Sequence, residues 1–350
     1  MKLPDPPPPT LRLRVDAEAL AANWRALDRL SGRAAAAAAV KADAYGLGVD
    51  TAVPALLEAG ARDFFVAHWS EAPAVLRHVE PSMLAVLHGP LRSEDAQFAR
   101  ASGVRPVINS LEQARLWRDA GGGPCDLMVD TGINRLGLPP GEIGDPLVAA
   151  LEIGTLMSHL ASADEDVPQN ERQLALFEDI ARTVSAKRRS LANSAGIALG
   201  ESYAFDLTRP GIALYGGVPR PELAGAIRQV AYPQAAVLQL RDLSPGDSVG
   251  YNATFTADRS LRAATVSLGY ADGYLRCWGG VGELRHGDAS LPVLGRVSMD
   301  MVVVDCTASP AIRVGDWLDL PYALPEASAR SGLSQYELLT LLGRRFGKTP

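Results

Sequence analysis

The chain has 350 residues, with 34 Lys and Arg against 40 Asp and Glu, a formal net charge of −6, and 47% hydrophobic residues. That length suits about two domains of roughly 150 residues, or one large α/β barrel with an appendage, and the mild acidity excludes a nucleic-acid partner held through a basic face. The 33 glycines and 25 prolines fall short of the roughly 25–30% of a low-complexity chain and mean many turns instead.

Residues 11–15, Leu-Arg-Leu-Arg-Val, alternate with the period of a strand. Asp16 then suits the N-cap of a helix whose apolar positions Leu20, Trp24, Leu27 and Leu30 recur every three or four residues. Short apolar segments near 35–40, 63–67, 83–88, 104–108, 125–129, 152–158, 188–193 and 202–208 read as strands, and stretches such as 51–59, 111–120 and 170–187 read as helices between them. Eight such units predict a (β/α)8 TIM-type barrel, with a doubly wound sheet as the alternative. One segment conflicts: the six alanines after Arg33 have helical propensity. It reads as a strand because it is short, follows Ser31-Gly32 and completes the repeat.

Beyond about residue 228 the pattern changes. Segments 237–240, 263–268, 291–297 and 301–304 are strand-like, with turn signals at Pro245-Gly246-Asp247, His286-Gly287-Asp288 and Val314-Gly315-Asp316. Helical periodicity returns only at 335–342. The expectation is a barrel over 13–228 and a mostly β domain over 229–350, joined by the N-terminal strand region 1–12. The three cysteines, Cys125, Cys277 and Cys306, are too scattered for a disulfide framework, and no two have zinc-ligand spacing, so no metal is expected. No apolar run approaches the ~20 residues that cross a membrane, and 1–10 holds five prolines and no apolar leader. A reducing cytoplasm is the expected address, without a membrane partner.

In a barrel the chemistry lies where strands end and loops begin. The first strand ends in Val40-Lys41-Ala42-Asp43-Ala44-Tyr45-Gly46. A lysine there sits at the barrel mouth, where its pKa falls readily, which suits a Schiff-base lysine. Position alone reads more readily as a surface lysine just past a strand. The loops after strands seven and eight, which commonly bind phosphate in this fold, read Ala192-Asn193-Ser194-Ala195 and Arg209-Pro210-Gly211-Ile212. Their hydroxyl and backbone N–H groups suit an anion as well as a plain turn.

Taken together, these residues resemble the bacterial alanine racemases. The string from Ala39 to Gly48 resembles that family's pyridoxal-phosphate lysine motif. Val129-Asp130-Thr131-Gly132-Ile133-Asn134-Arg135-Leu136-Gly137, Met157-Ser158-His159-Leu160, Ala192-Asn193-Ser194-Ala195, and Arg209-Pro210-Gly211-Ile212-Ala213-Leu214-Tyr215-Gly216 follow in the family order. So do Gly250-Tyr251, Gly269-Tyr270-Ala271-Asp272-Gly273, Val297-Ser298-Met299-Asp300 and Tyr336-Glu337-Leu338-Leu339. Nine motifs in one order, from about Val15 to Arg345, are not a chance likeness.

The resemblance implies a homodimeric racemase that interconverts L- and D-alanine with pyridoxal 5'-phosphate. Lys41 would hold the cofactor and act as base on one face of the substrate. Tyr251 of the partner subunit would act on the other, since inversion needs a proton removed on one side and returned on the opposite one. A tyrosine has a pKa near 10, so His159 and Arg209 would supply the hydrogen bonds and positive charge that favour its phenolate. Tyr45, Ser194, the backbone at Gly211 and Ile212, and Tyr336 would hold the phosphate. Arg135 and the Met299 backbone would bind the substrate carboxylate, with Asp300 beside it, and Tyr270 would line the entrance. Arg209 would face the pyridine nitrogen; an arginine keeps its proton, which disfavours the decarboxylase or aldolase chemistry of the same barrel class. A cofactor carrier without turnover is a third reading, disfavoured by the presence of the β domain.

Two departures stand out. Many relatives carry a carbamate-forming lysine where this chain has Met128, so a neighbouring amide or an anion must orient Arg135, and activity is expected not to depend on carbon dioxide. Some carry a histidine where this chain has Ser190, which leaves the support of Arg209 open. Breadth also stays open: an apolar pocket rejects the extra hydroxyl of serine poorly. The product could serve cell-wall synthesis or alanine breakdown.

Overall fold

The computed structural model describes residues 7–349; the part of the N-terminal reading that falls on 1–6 lies outside the described residues. The chain divides into two compact units, Ala17–Arg228, and Gln229–Pro350 together with the segment through Asp16. The first strand, β1 (Leu11–Val15), belongs to the second of these.

In Ala17–Arg228 the helix Ala17–Leu30 leads into β2 (Ala35–Ala36) and β3 (Ala38–Ala39), one strand interrupted at Ala37. There follow β4 (Phe64–Val66), β5 (Leu84–Val86), β6 (Arg105–Ile108), β7 (Pro124–Met128), β8 (Glu152–Met157), β9 (Arg188–Ser190) and β10 (Leu207–Thr208). Strands β3 to β9 pair in sequential order, every pair parallel. β10 pairs with β2, and bonds from the Asp206 N–H to the Arg189 carbonyl and from the Arg209 N–H to the Ala192 carbonyl tie it to the chain of β9. The ring is thereby closed as the expected parallel barrel.

The alanine run is a strand because burial overrides propensity. Ala37 shares one interior layer with Phe65, Ala85, Val107, Met128, Met157 and Leu207, and a small side chain is what fits opposite Phe65 in so narrow a space. The segment 202–208 differs from expectation: Glu201–Ala204 is a short helix, and only Leu207–Thr208 is strand. Tyr203 and Ala204 are buried by helical packing, an apolar signal that a short window does not separate from a strand.

Below the apolar layer lies a ring of charge. Asp63 receives two bonds from Arg188 (2.8 and 2.7 Å) and one from Arg105 (3.1 Å). Arg105 also reaches the fully buried Asp126 at 3.3 Å, whose other oxygen accepts the Thr155 N–H. Burial opposes the ionisation of Asp63, but its bonds and charge contacts with Arg188 and Arg105 outweigh it and hold the carboxyl below its ordinary range.

In the other unit an eight-stranded sheet runs in the order β14-β17-β16-β15-β18-β11-β1-β19, and β11 also pairs with β14. Its members are β11 (Ala231–Leu243), β14 (Leu261–Val266), β15 (Glu283–His286), β16 (Ala289–Leu294), β17 (Val302–Asp305), β18 (Trp317–Asp319) and β19 (Gly347–Thr349), with β12 (Ser248–Val249) and β13 (Phe255–Thr256) as a separate hairpin. β1 lies antiparallel to β11 and buries Leu11, Leu13 and Val15 on one face, as its alternation predicts. Helical structure returns at Leu324–Ser331 and Gln335–Thr340. Among the described residues no helix is long and apolar enough to cross a membrane.

Asp63→Asn is expected to cost about 2–3 kcal/mol at pH 7 by leaving two arginines short of a partner. A depressed carboxyl contributes fully above its unfolded value near 4 and loses that contribution as pH falls through the lower folded value. Urea titrations of both proteins across pH 3–7 should therefore show the difference shrinking only below about pH 4.

Candidate active site

Lys41 follows β3 at the carboxyl end of the barrel strands, and the chain then takes an uncommon path. Ala42, Asp43, Ala44 and Tyr45 all have φ between 53 and 55°, a left-handed turn that costs L-residues roughly 1–2 kcal/mol each. It is held by Ala44 N–H to the Val40 carbonyl, Gly46 N–H to the Ala42 carbonyl and Gly48 N–H to the Asp43 carbonyl. The Asp43 carboxylate accepts the Val49 N–H at 2.9 Å. Burial, and after it the charge of Arg135, hold the Lys41 amine below the ordinary lysine range, with the charge of Glu71 opposing them.

Arg135 rides on the loop after β7. Asp130 Oδ1 shapes that loop by accepting the N–H groups of Gly132, Ile133 and Asn134 at 2.8–3.2 Å, and Asn134 turns left-handed at φ 54°. Met128 points into the apolar interior layer. One strand over, Asn109 is buried at the end of β6. Its amide nitrogen donates to the carbonyls of Leu87 and Val107 (3.0 and 2.8 Å), while its own carbonyl oxygen has no partner among the described residues.

Arg209, after β10, is 7% exposed. Its guanidinium donates to Ser190 Oγ and to the Ser158 carbonyl, and the Ser190 hydroxyl donates to the Leu207 carbonyl. The hydroxyl at 190 thus supplies the support that the sequence left open. Burial lowers the Arg209 pKa to about 10, against a smaller effect of Asp126, so the group is charged at neutral pH. Burial, then the charges of Arg209, Arg135 and Lys41, hold the His159 pKa down to about 3, which leaves it a neutral imidazole at pH 7.

Tyr45 is buried and stacks on Tyr215 with ring centroids 4.7 Å apart, while the Tyr215 hydroxyl donates to the Ala39 carbonyl at 2.9 Å. Ser194 Oγ accepts the N–H groups of Gly211 (2.8 Å) and Ala213 (3.3 Å). The Gly211 N–H, read from sequence as a phosphate donor, is therefore spent on Ser194. Among the described residues the Ser194 proton and the Ile212 N–H have no partner. A Cβ on Gly211 would stand 2.2 Å from Tyr45 Oη, so this position needs glycine to keep the tyrosine in place.

The remaining expected residues all lie in the second unit. Tyr251 is 71% exposed and Met299 53%, and Tyr336 is also exposed. Tyr251 follows Gly250 (φ 74°) and precedes Asn252 and Ala253, both at positive φ. The loops of Tyr270 and Met299 are laced together: the Tyr270 N–H donates to the Ser298 carbonyl and the Ala271 N–H to the Met299 carbonyl, each at 3.0 Å. Arg345 bridges the buried Asp272 and Asp300, at 2.7 Å to each. A Cβ at Gly269 would meet the Met299 carbonyl oxygen at 2.2 Å, so the close approach requires glycine.

Sequence reasoning did not single out Glu71 or Asn109. Glu71 follows an apolar strand in a Ser-Glu-Ala stretch that reads as an ordinary helix start, and Asn109 before Ser110 reads as a turn; only the fold turns their side chains to the mouth.

Gly211→Ala is expected to lose about 1–3 kcal/mol in urea unfolding, as overpacked sites do, and to bind pyridoxal phosphate at least tenfold more weakly by spectrophotometric titration. Wild-type affinity would show that Tyr45 and Gly211 do not form one cradle.

The chain matches the family models described as alanine racemase, N-terminal domain, over residues 15–219 and alanine racemase, C-terminal domain, over 230–349. It is 43% identical over 358 residues to an alanine racemase of Methylobacterium nodulans, covering 96% of this chain and 95% of the relative. It is 42% identical to a biosynthetic alanine racemase of Agrobacterium fabrum, covering 96% and 92%. Among solved structures it is similar to the alanine racemase of Bartonella henselae with covalently bound pyridoxal phosphate (TM-score 0.89, 35% identity, 98% and 99% covered). It is likewise similar to the biosynthetic alanine racemase of Pseudomonas aeruginosa (TM-score 0.88, 33% identity, 98% and 99% covered).

Proposed function

The chain belongs to the alanine racemase family, and we propose that it carries out that family's isomerisation of alanine with two opposed bases, Lys41 and the Tyr251 of a second copy. The enzyme is an isomerase and its cofactor is pyridoxal phosphate. The residues present fit that group. A buried amine with a depressed pKa suits a covalent link to an aldehyde. The cradle of Tyr45, Ser194 and Gly211, which a Cβ would fill, suits a phosphate. A buried arginine bound only to neutral oxygens suits an acceptor nitrogen.

When bound, pyridoxal phosphate supplies an electron-withdrawing ring that makes the substrate Cα–H acidic. The chain's residues do the rest. Lys41 holds the cofactor and, when released, takes or returns a proton at Cα on its own face; its lowered pKa keeps more of the amine neutral and competent as a base. Arg209 donates hydrogen bonds and keeps its proton, so the site withdraws electrons weakly and side reactions are disfavoured. Arg135 binds the substrate carboxylate, and Asn109, one strand over from Met128 with a carbonyl oxygen that has no partner among the described residues, is the neighbouring amide available to orient it in place of a carbamate. His159, held neutral, offers the Tyr251 hydroxyl a hydrogen bond, while Arg209 alone supplies the positive charge. Tyr270 narrows the entrance toward small side chains.

The observation that carries the reading is the convergence of Lys41, Arg135, His159 and Arg209 at the carboxyl end of one barrel, where Arg209, Arg135 and Lys41 each act on the charge of His159 and Arg135 acts on that of Lys41. The high exposure of Tyr251 and Met299 supports a homodimer in which they complete the partner's site. A cytoplasmic enzyme that supplies D-alanine for cell-wall synthesis or takes part in alanine breakdown is the setting we assign.

The test is α-proton exchange in deuterated water with L- and D-alanine offered separately, alongside serine. The wild-type protein should exchange both alanine enantiomers, Lys41→Ala should lose exchange and the bound cofactor's visible absorbance together, and Tyr251→Phe should lose about 10²–10⁴-fold with one enantiomer more than the other. Full racemisation by Tyr251→Phe would remove that residue from its role.

A further inference from the structure

The left-handed turn after Lys41 needs an anchor beyond its own backbone bonds, because four consecutive L-residues there cost roughly 4–8 kcal/mol together. The first N–H of that turn belongs to Ala42, immediately after the lysine, and it donates to Glu71 Oε1. The second oxygen of the same carboxylate accepts the N–H groups of Ala67 at 2.8 Å and His68 at 2.9 Å. Glu71 lies in the short turn Trp69–Glu71 that follows β4, the strand beside β3. One carboxylate therefore clasps the ends of two adjacent barrel strands at the point where the lysine leaves the sheet. Three backbone donors on one ionised group are strong, charge-assisted bonds, and no neutral side chain of the same size can accept all three. The same carboxylate acts on the Lys41 charge, opposing burial and Arg135.

We propose that Glu71 is the positioning residue of Lys41: its carboxylate fixes the left-handed turn that aims the amine into the barrel mouth and supplies the negative charge that faces that amine. The proposal rests on Lys41 being the cofactor lysine and adds a second residue on which that lysine's geometry depends. Glu71 acts through the backbone of Ala42.

The experiment uses the full chain in three forms, wild type, Glu71→Gln and Glu71→Asp, each with its melting temperature recorded. Stripped of cofactor, each is labelled with limiting acetic anhydride across pH, and the Lys41 peptide is followed by mass spectrometry. Glu71→Gln is expected to lower the pH at half-labelling of Lys41 by about half a unit or more, the effect of losing one nearby charge. Reloaded, it should show kcat at least about tenfold lower, as a misaimed reacting group does, with KM for alanine changed less. Glu71→Asp, which keeps the charge but is one methylene short, should restore the labelling midpoint and leave kcat low. A wild-type midpoint and kcat in Glu71→Gln overturns the proposal, as does a loss of activity that follows only the unfolded fraction. Retention of cofactor and activity by Lys41→Ala would instead overturn the reading on which it rests.

Discussion

Arg209 sets the terms for everything around it. Its guanidinium is buried and charged, yet among the described residues its hydrogen bonds go to the Ser190 hydroxyl and the Ser158 carbonyl. Asp63 and Asp126 lie at the barrel floor, where they are paired with Arg105 and Arg188. Charge thus differs with depth: it is paired below the layer of Ala37, Phe65 and Met128, while above it Lys41, Arg135 and Arg209 outnumber the Glu71 carboxylate that acts on the lysine. Burial first, and the positive mouth after it, lower the pKa of His159 and of the Lys41 amine. An anionic phosphate and a substrate carboxylate are what such a mouth is built to receive, and a lysine of lowered pKa is what it leaves available as a base.

The floor and the mouth also divide the work of stability and function. Paired charges close to the barrel axis fix the strands on which the site is mounted. The left-handed turn at Ala42–Tyr45 and the orphaned Asn109 oxygen are costs that a fold selected for stability alone would avoid. They cluster at the carboxyl ends of the strands, as strained and under-satisfied groups at functional sites do. The β unit carries its own version: Gly269 and the Arg345 bridge bind two loops together so that Tyr270 and Met299 are presented as one surface.

Much of this was legible in the sequence. Alternation and turn signals place most strands, and the motif series names Lys41, Arg209 and Tyr251 before any coordinates. The misses share one physical cause: short windows carry no information about what packs from elsewhere. The apolar 202–204 stretch is helix because its residues pack as a helix against the barrel. Glu71 acts on Ala42, 29 positions away in the chain. Ser190 supports Arg209 because the Leu207 carbonyl is there to accept its hydroxyl hydrogen bond and leave the oxygen free to receive the guanidinium. The lowered pKa of His159 follows from its burial and then from three cations brought to it by three different loops.

The central claim is that each site draws one base from each of two chains. Mixing is the direct test: co-expressed Lys41→Ala and Tyr251→Phe chains, each inactive with itself, are purified together and assayed for racemisation. In a random mixture half the dimers are hybrid and each hybrid holds one intact site of two, so about a quarter of the wild-type activity should return. Activity no higher than that of either parent, with hybrid dimers shown to be present, would contradict the account.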